Sequence, residues 1–326
     1  MQAVILALQL LVMIAVGVGI RKFNLTDKEF TSRLTTLVLQ VCIPCLIFYS
    51  VAYPTTKNAE GITVPVEFSA EALSQYGIAI ILGAASILLG LLVGQIFYWC
   101  SKDKNSGRIV RFGLTLCNFS FMGIPIMEAL FGPGFLATYA FFLIPVRIGY
   151  YTLPEYLMTP PGSNSTKKSF LQVVKGIFLS PQLIAVILGL IFWIFGWKLP
   201  SFIDYAVNSL NKLSSPLALL LVGMLIAEYK FKQLLNVKYV LLPVLRCILM
   251  PALFFAVSLL MRRFGVSDEL CRMFVIYGAL PVPSLITVWT MKYDPNPDNH
   301  LMSACTCTIS MILCMLTIPI WNTLMA

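Results

Sequence analysis

The residues able to do chemistry in this chain of 326 residues are few, and they gather at two interruptions of apolar sequence. The stretch RFGLTLCNFSFMGIPIMEALFG (Arg111–Gly132) sets Asn118 and Ser120 just ahead of Gly123 and Pro125. Glycine weakens a helix and proline deletes one of its hydrogen bonds. The expectation is a helix broken near its middle at Gly123–Pro125, with an amide and a hydroxyl beside the break. The stretch YGALPVPSLITVWT (Tyr277–Thr290) has the same character: Pro281 and Pro283 cannot both sit in an unbroken helix, and Ser284 and Thr287 follow them. The free N–H groups that open each second half-helix carry partial positive charge and suit an anion. This is binding chemistry rather than bond-making chemistry. Each residue also has a plainer role open to it. A single proline kink serves packing, Asn118 can hold helices together, and Ser284 and Thr287 can bond back to their own helix. The paired placement of the two breaks is what points to a site.

Two arginines lie inside apolar segments. Arg147 stands in FFLIPVRIGYY and Arg246 in LLPVLRCILMP. Burying an arginine at membrane depth costs several kcal/mol on most scales, so such a residue has a partner or a function. Arg147 is roughly ten residues from the end of its segment, about 15 Å by helical rise, too deep to snorkel with ease. Two roles remain open to it: binding a substrate carboxylate, or pairing with Glu128 or Glu155. Arg246 lies nearer the end of its segment and is expected to snorkel. Glu128, if buried, could carry a coupled proton.

Other chemistries lack their residues. His300 is the only histidine, so no His cluster can hold a metal and no Ser-His or Cys-His pair has a base. The nine cysteines are expected to be small buried apolar side chains. Nothing resembles GxxxxGK[ST], so no phosphate-binding loop is present. No cofactor is implied.

The elements that must position these residues are membrane helices. The chain is 59% hydrophobic and 11% charged, against roughly 25% charged in a soluble domain. Ten apolar segments can be marked, near 3–20, 33–53, 73–99, 110–130, 134–157, 170–196, 202–227, 239–261, 269–291 and 301–323. The first has no basic residue before it, unlike a cleavable signal peptide, and is expected to be a retained helix. The net charge of +9 is scattered in short connectors, which excludes nucleic acid and reads as topology. Connectors after odd segments hold fifteen basic residues and those after even segments five. The positive-inside rule then sets both termini outside the cytoplasm, with the Arg262–Arg263 pair dissenting. Residues 1–157 and 170–326 each hold five segments, joined by a linker at 158–169 rich in Pro, Gly and Ser. Two five-helix halves of one fold must enter the membrane from opposite sides, the inverted repeat of secondary transporters. Pro44 then answers Pro216, and Pro125 answers Pro281 and Pro283.

Several segments resemble the auxin efflux carrier family, whose prokaryotic members include malonate and malate permeases. They are IPCLIF (Ile43–Phe48), NFSFMGIPIMEALFG (Asn118–Gly132), SPLALLLVGMLIA (Ser215–Ala227), ALP (Ala279–Pro281), Tyr293, and TCTISMILCMLTIPIW (Thr306–Trp321). The resemblance covers essentially the whole chain. It implies an all-α membrane protein of ten transmembrane helices in two inverted five-helix repeats, with broken helices four and nine crossing at the substrate site, similar to bile-acid sodium symporters. By resemblance, Asn118 and Pro125 mark one side of the crossing and Pro281 the other. The chain departs from the family at Pro283–Ser284, where the resemblance implies a small residue rather than a second proline, and lacks the long cytosolic loop of the plant carriers.

The reading that follows is a secondary transporter in the plasma membrane that moves a small organic anion, a mono- or dicarboxylate, by alternating access. A receptor or sensor that keeps the transporter fold without turnover is the alternative, and an intramembrane enzyme ranks third because no catalytic set was found. The expected partners are the anion and the lipid bilayer, with a homodimer left open.

Overall fold

The computed structural model describes residues 2–57, 63–160, 175–176, 178–228 and 236–325. Most of the 158–169 linker, with Lys167 and Lys168, lies outside the described residues, as do Lys230 and Lys232. The first helix, α1, is Gln2–Lys22. Next, α2 (Lys28–Leu37) runs through a π-helical turn into α3 (Ile43–Ala52). A short antiparallel hairpin, β1 (Thr55–Lys57) and β2 (Thr63–Pro65), pairs Thr56 with Val64. It leads to α4 (Ala70–Cys100), then to α5 (Lys104–Thr115), α6 (Ile124–Phe131) and α7 (Leu136–Met158). The second half holds α8 (Pro181–Phe195), α9 (Ser201–Ile226), α10 (Val237–Val244), α11 (Met250–Arg263), α12 (Asp268–Gly278), α13 (Leu285–Tyr293) and α14 (Pro297–Leu324). Among the described residues, seven helices are long and apolar enough to cross a membrane. The chain is an all-α membrane protein, and the helices overlie all ten apolar segments.

Local chemistry sets the helix ends. Asp27, Ser69, Asp103, Ser267 and Asn296 each accept a hydrogen bond from a backbone N–H of the first turn they precede, which satisfies donors a helix leaves free. At Asp103, hydrogen bonds from Ser106 and Asn105 hold the carboxyl below its ordinary pKa. Within lipid there is no hydrophobic drive between helices, so close backbone approach by small residues does the packing. The 31 residues of α4 span about 46 Å. On one face, Leu88, Leu92, Ile96 and Trp99 are exposed. On the other, Gly83 sits against Phe142 and Pro145 of α7, and Gly90 and Gly94 sit against the α5 backbone at Leu114, Thr115 and Arg111.

The interhelical packing is reciprocal between the halves. In one direction α1 packs on α9, and in the other α8 packs on α3. Glycines carry both contacts: Gly17 and Gly223 bring α1 and α9 together, and Gly189 meets Phe48 and Val51 of α3. Likewise α4 packs on α5 and α7, while α10 and α11 pack on α14 and α12. The connectors sort to two ends. The hairpin, the α6–α7 turn and the α11–α12 turn share a cavity of about 240 Å3 at one end, where Leu199 N also donates to Tyr53 Oη at 3.0 Å. At the other end Ser106 reaches Asn299, Tyr293 reaches Glu155, and Arg111 donates to the Leu157 carbonyl.

One expectation about a residue type needs correction, and one element was missed. Cys100 is exposed at the end of α4 and Cys45 is only partly covered, while the other seven cysteines are buried and all nine are free thiols. The hairpin after α3 had no signal in the apolar pattern, because its three-residue strands are too short to show one.

Candidate functional site

The two interrupted helices meet through their backbones. The N–H of Asn118 donates to the carbonyl of Pro281 at 2.8 Å. The first interruption, however, lies seven residues earlier than expected. Helix α5 ends at Thr115, and Leu116 is extended (φ −112, ψ 148). Asn118 then caps a π-helical turn, Phe119–Gly123, which continues directly into α6. Gly123 has helical dihedrals. Its role is steric: a Cβ there would lie 2.4 Å from Tyr139 Oη and 3.0 Å from Leu280 Cδ1. Pro125 follows the π-helical turn at the start of α6, where the wider turn accommodates the N–H it lacks. The expected break at Gly123–Pro125 is therefore a break at Leu116–Asn118, with the proline inside the second half-helix, just past its first π-helical turn. The second interruption falls where the prolines put it, between Gly278 and Leu285.

Side chains from other helices satisfy the backbone groups freed by the breaks. Tyr139 and Tyr150 of α7 donate their hydroxyls to the carbonyls of Phe119 and Cys117. Ser310 Oγ accepts from Val282 N at 3.0 Å, and Cys307 Sγ lies 3.5 Å from the Val282 carbonyl oxygen. Arg246 does the most. It is 1% exposed and donates Nε to the Leu280 carbonyl at 2.8 Å, Nη1 to the Leu114 carbonyl at 2.8 Å and Nη2 to the Tyr277 carbonyl at 3.4 Å. The expectation that it snorkels is thus overturned. Its position in a π-helical turn, about 13 Å along from Val237, and the carbonyls gathered at the two breaks draw it inward.

Arg147 is also buried, at 7% exposure, with its guanidinium carbon 5.4 Å from the Phe119 ring centroid. Its Nε and Nη2 are buried without a hydrogen-bond partner among the described residues. The carboxylates considered as alternative partners are engaged elsewhere. Glu128 accepts from Ser215 Oγ, and Glu155 accepts from Tyr293 Oη at 3.3 Å. Neither forms an ion pair with Arg147; the ion pairs among the described residues are Arg33–Glu29 and Arg262–Asp268. Asn118 uses Oδ1 to accept from Phe121 N at 3.1 Å, while its Nδ2, like the Tyr277 hydroxyl, is buried without a partner. The open groups around the crossing are therefore chiefly donors.

The other sequence candidates divide. Pro281 and Pro283 are buried in the second break. Ser284 precedes α13 without a side-chain cap bond. Neither Ser284 nor Thr287 bonds back to its helix among the described residues; with Thr308 and Glu228 they line a separate cavity of about 170 Å3. Ser120 is half-buried, and its hydroxyl has no partner among the described residues. Tyr139, Tyr150 and Arg246 were missed as site residues. The spacing of Tyr139, Arg147 and Tyr150 follows one helix face and was a usable signal. Nothing in the sequence shows which carbonyls Arg246 would meet.

Known transporters are similar to this chain in sequence. An uncharacterized transporter of Methanothermobacter thermautotrophicus is 23% identical over 320 residues, which is 97% of this chain and 96% of that protein. One from Methanocaldococcus jannaschii is 23% identical over 316 residues, 96% of this chain and 95% of its own. The family model described as membrane transport protein matches residues 2–322. The chain belongs to that family, the auxin efflux carrier family, whose members are multi-pass membrane transporters and not enzymes.

Proposed function

We propose that this protein is a secondary transporter for a small organic anion, a mono- or dicarboxylate, bound where the two interrupted helices cross. One observation carries the reading. Arg147 is buried beside the crossing, and among the described residues it has no carboxylate partner and its Nε and Nη2 have no hydrogen-bond partner. An intramembrane charge without a protein partner marks a functional site. The Nε and Nη2 of Arg147 and the Nδ2 of Asn118 stand as open donors, a set that matches carboxylate oxygens. The N-terminal ends of the second half-helices add partial positive charge.

The reciprocal packing of α1 on α9 and α8 on α3 supports two inverted five-helix halves and ten crossings. Such halves support alternating access by rocking one bundle against the other. The excess of basic residues in connectors after odd segments supports an orientation with both termini outside the cytoplasm, and we place the protein in the plasma membrane.

The test is uptake into proteoliposomes of radiolabelled acetate, malonate, succinate and benzoate, against their neutral amides, under an imposed membrane potential. Uptake of at least one acid, with its amide excluded, is expected. No uptake of any acid, or equal uptake of acid and amide, refutes the proposal. Tags at both termini that react with impermeant reagents on intact cells test the orientation; a protected terminus refutes it.

A further inference from the structure

We propose that Arg246 is a tethered cation in the seat that the carbonyl ends of the broken helices would otherwise offer to a coupling ion, so that the anion site works without sodium. This rests on the anion-transport reading of the crossing and goes beyond it to what charges the site.

The carbonyls in the last turn of a helix have no donor within that helix and carry partial negative charge. Two such ends meet here, those of α5 and α12. In transporters with broken helices, carbonyl ends of this kind coordinate the coupling cation, while the opposing amide ends face the anionic substrate. Here the guanidinium of Arg246 takes one carbonyl ahead of the first break, Leu114, and two at the second, Tyr277 and Leu280. It is 1% exposed and forms no ion pair among the described residues. A mobile cation would need those same oxygens and would face a fixed positive charge. With the carbonyl dipoles already covered, the positive charge at the crossing persists whether or not sodium is present. Arg246 is thus a positioning residue: it touches the half-helix ends and sets the potential at the anion site through them.

The test uses the purified full chain and the tightest-binding acid of acetate, malonate, succinate and benzoate. Wild-type affinity is measured in sodium chloride and in choline chloride at equal ionic strength, and agreement within about twofold is expected. Arg246→Ala should weaken binding about ten- to a hundredfold, the range for losing a charged hydrogen-bonding group. Millimolar guanidinium should restore part of that loss, and Arg246→Lys should retain more affinity than Arg246→Ala. Wild-type binding that strengthens tenfold in sodium overturns the proposal while leaving the anion site intact. So does a folded Arg246→Ala protein that binds like wild type or gains nothing from guanidinium. If Arg246→Ala does not fold, Arg246→Lys and the wild-type sodium comparison decide it. Failure of the wild type to bind any of the acids overturns the anion site itself, and this assignment with it.

Discussion

Replacing Arg147 by glutamine should leave the empty protein at least as stable as wild type while stripping it of most of its carboxylate-dependent stabilisation. The guanidinium is 7% exposed, and its Nε and Nη2 are buried without partners among the described residues. An uncompensated buried charge is a burden to the empty fold, so neutralising it removes a cost. Binding responds in the opposite sense. A carboxylate that accepts from the guanidinium gains a charge-assisted hydrogen bond of about 1.5–3 kcal/mol, and losing it raises Kd about ten- to a hundredfold. At a ligand concentration of about one hundred times the wild-type Kd, linkage predicts about 2.7 kcal/mol of stabilisation for wild type and about 0.4–1.4 kcal/mol for Arg147→Gln. The Asn118 amide and the half-helix N–H groups remain, so binding weakens rather than vanishes. Thermal unfolding in detergent, with an acid and its matched amide, reads both quantities. An empty variant that melts well below wild type refutes the argument by making Arg147 structural. Unchanged acid affinity removes Arg147 from the site.

Three further substitutions test the crossing and the packing that holds it. Asn118→Asp keeps the acceptor that caps Phe121 N but deletes the Nδ2 donor and adds negative charge; the expected outcome is a normal melting curve with carboxylate uptake lost, and normal uptake would make Asn118 a helix cap alone. Gly123→Ala places a Cβ 2.4 Å from Tyr139 Oη, so Tyr139 must release the Phe119 carbonyl; denaturation should show a loss of about 1–3 kcal/mol with reduced uptake, and a silent variant would refute the steric role. Gly223→Ala places a Cβ 2.1 Å from the Ile14 carbonyl oxygen, whereas Gly19 has nothing nearer than the Phe23 ring at 3.9 Å; thermal unfolding should show a large loss for Gly223→Ala and little for Gly19→Ala, and equal effects would contradict the close α1–α9 crossing.

Much of this was legible in the chain itself. Apolar segments of membrane length, sparse charge and basic connectors are local properties, because lipid forces each span to satisfy its own backbone. Proline has a local effect too, and Pro281 and Pro283 marked the second break within a residue or two. The first break was misplaced because Pro125 lies inside the second half-helix, past a π-helical turn, and a proline accommodated there reads in sequence like a break. Asn118, with Oδ1 on Phe121 N, marks where that half-helix starts, and that bond depends on the fold. Arg246 shows the larger limit. Its depth in the sequence resembles that of a snorkelling residue, yet it lies buried against carbonyls at Leu114, Tyr277 and Leu280. Those carbonyls come from segments 132, 31 and 34 residues away, and they gather around one guanidinium only because both helices break beside one another. The same holds for Arg147: the sequence left it between substrate and a glutamate, and tertiary packing sent Glu128 to Ser215 and Glu155 to Tyr293. Patterning along one chain determines that the protein spans a membrane with two broken helices, whereas the pairing of charges is a long-range balance of desolvation and contact that only the assembled helices decide.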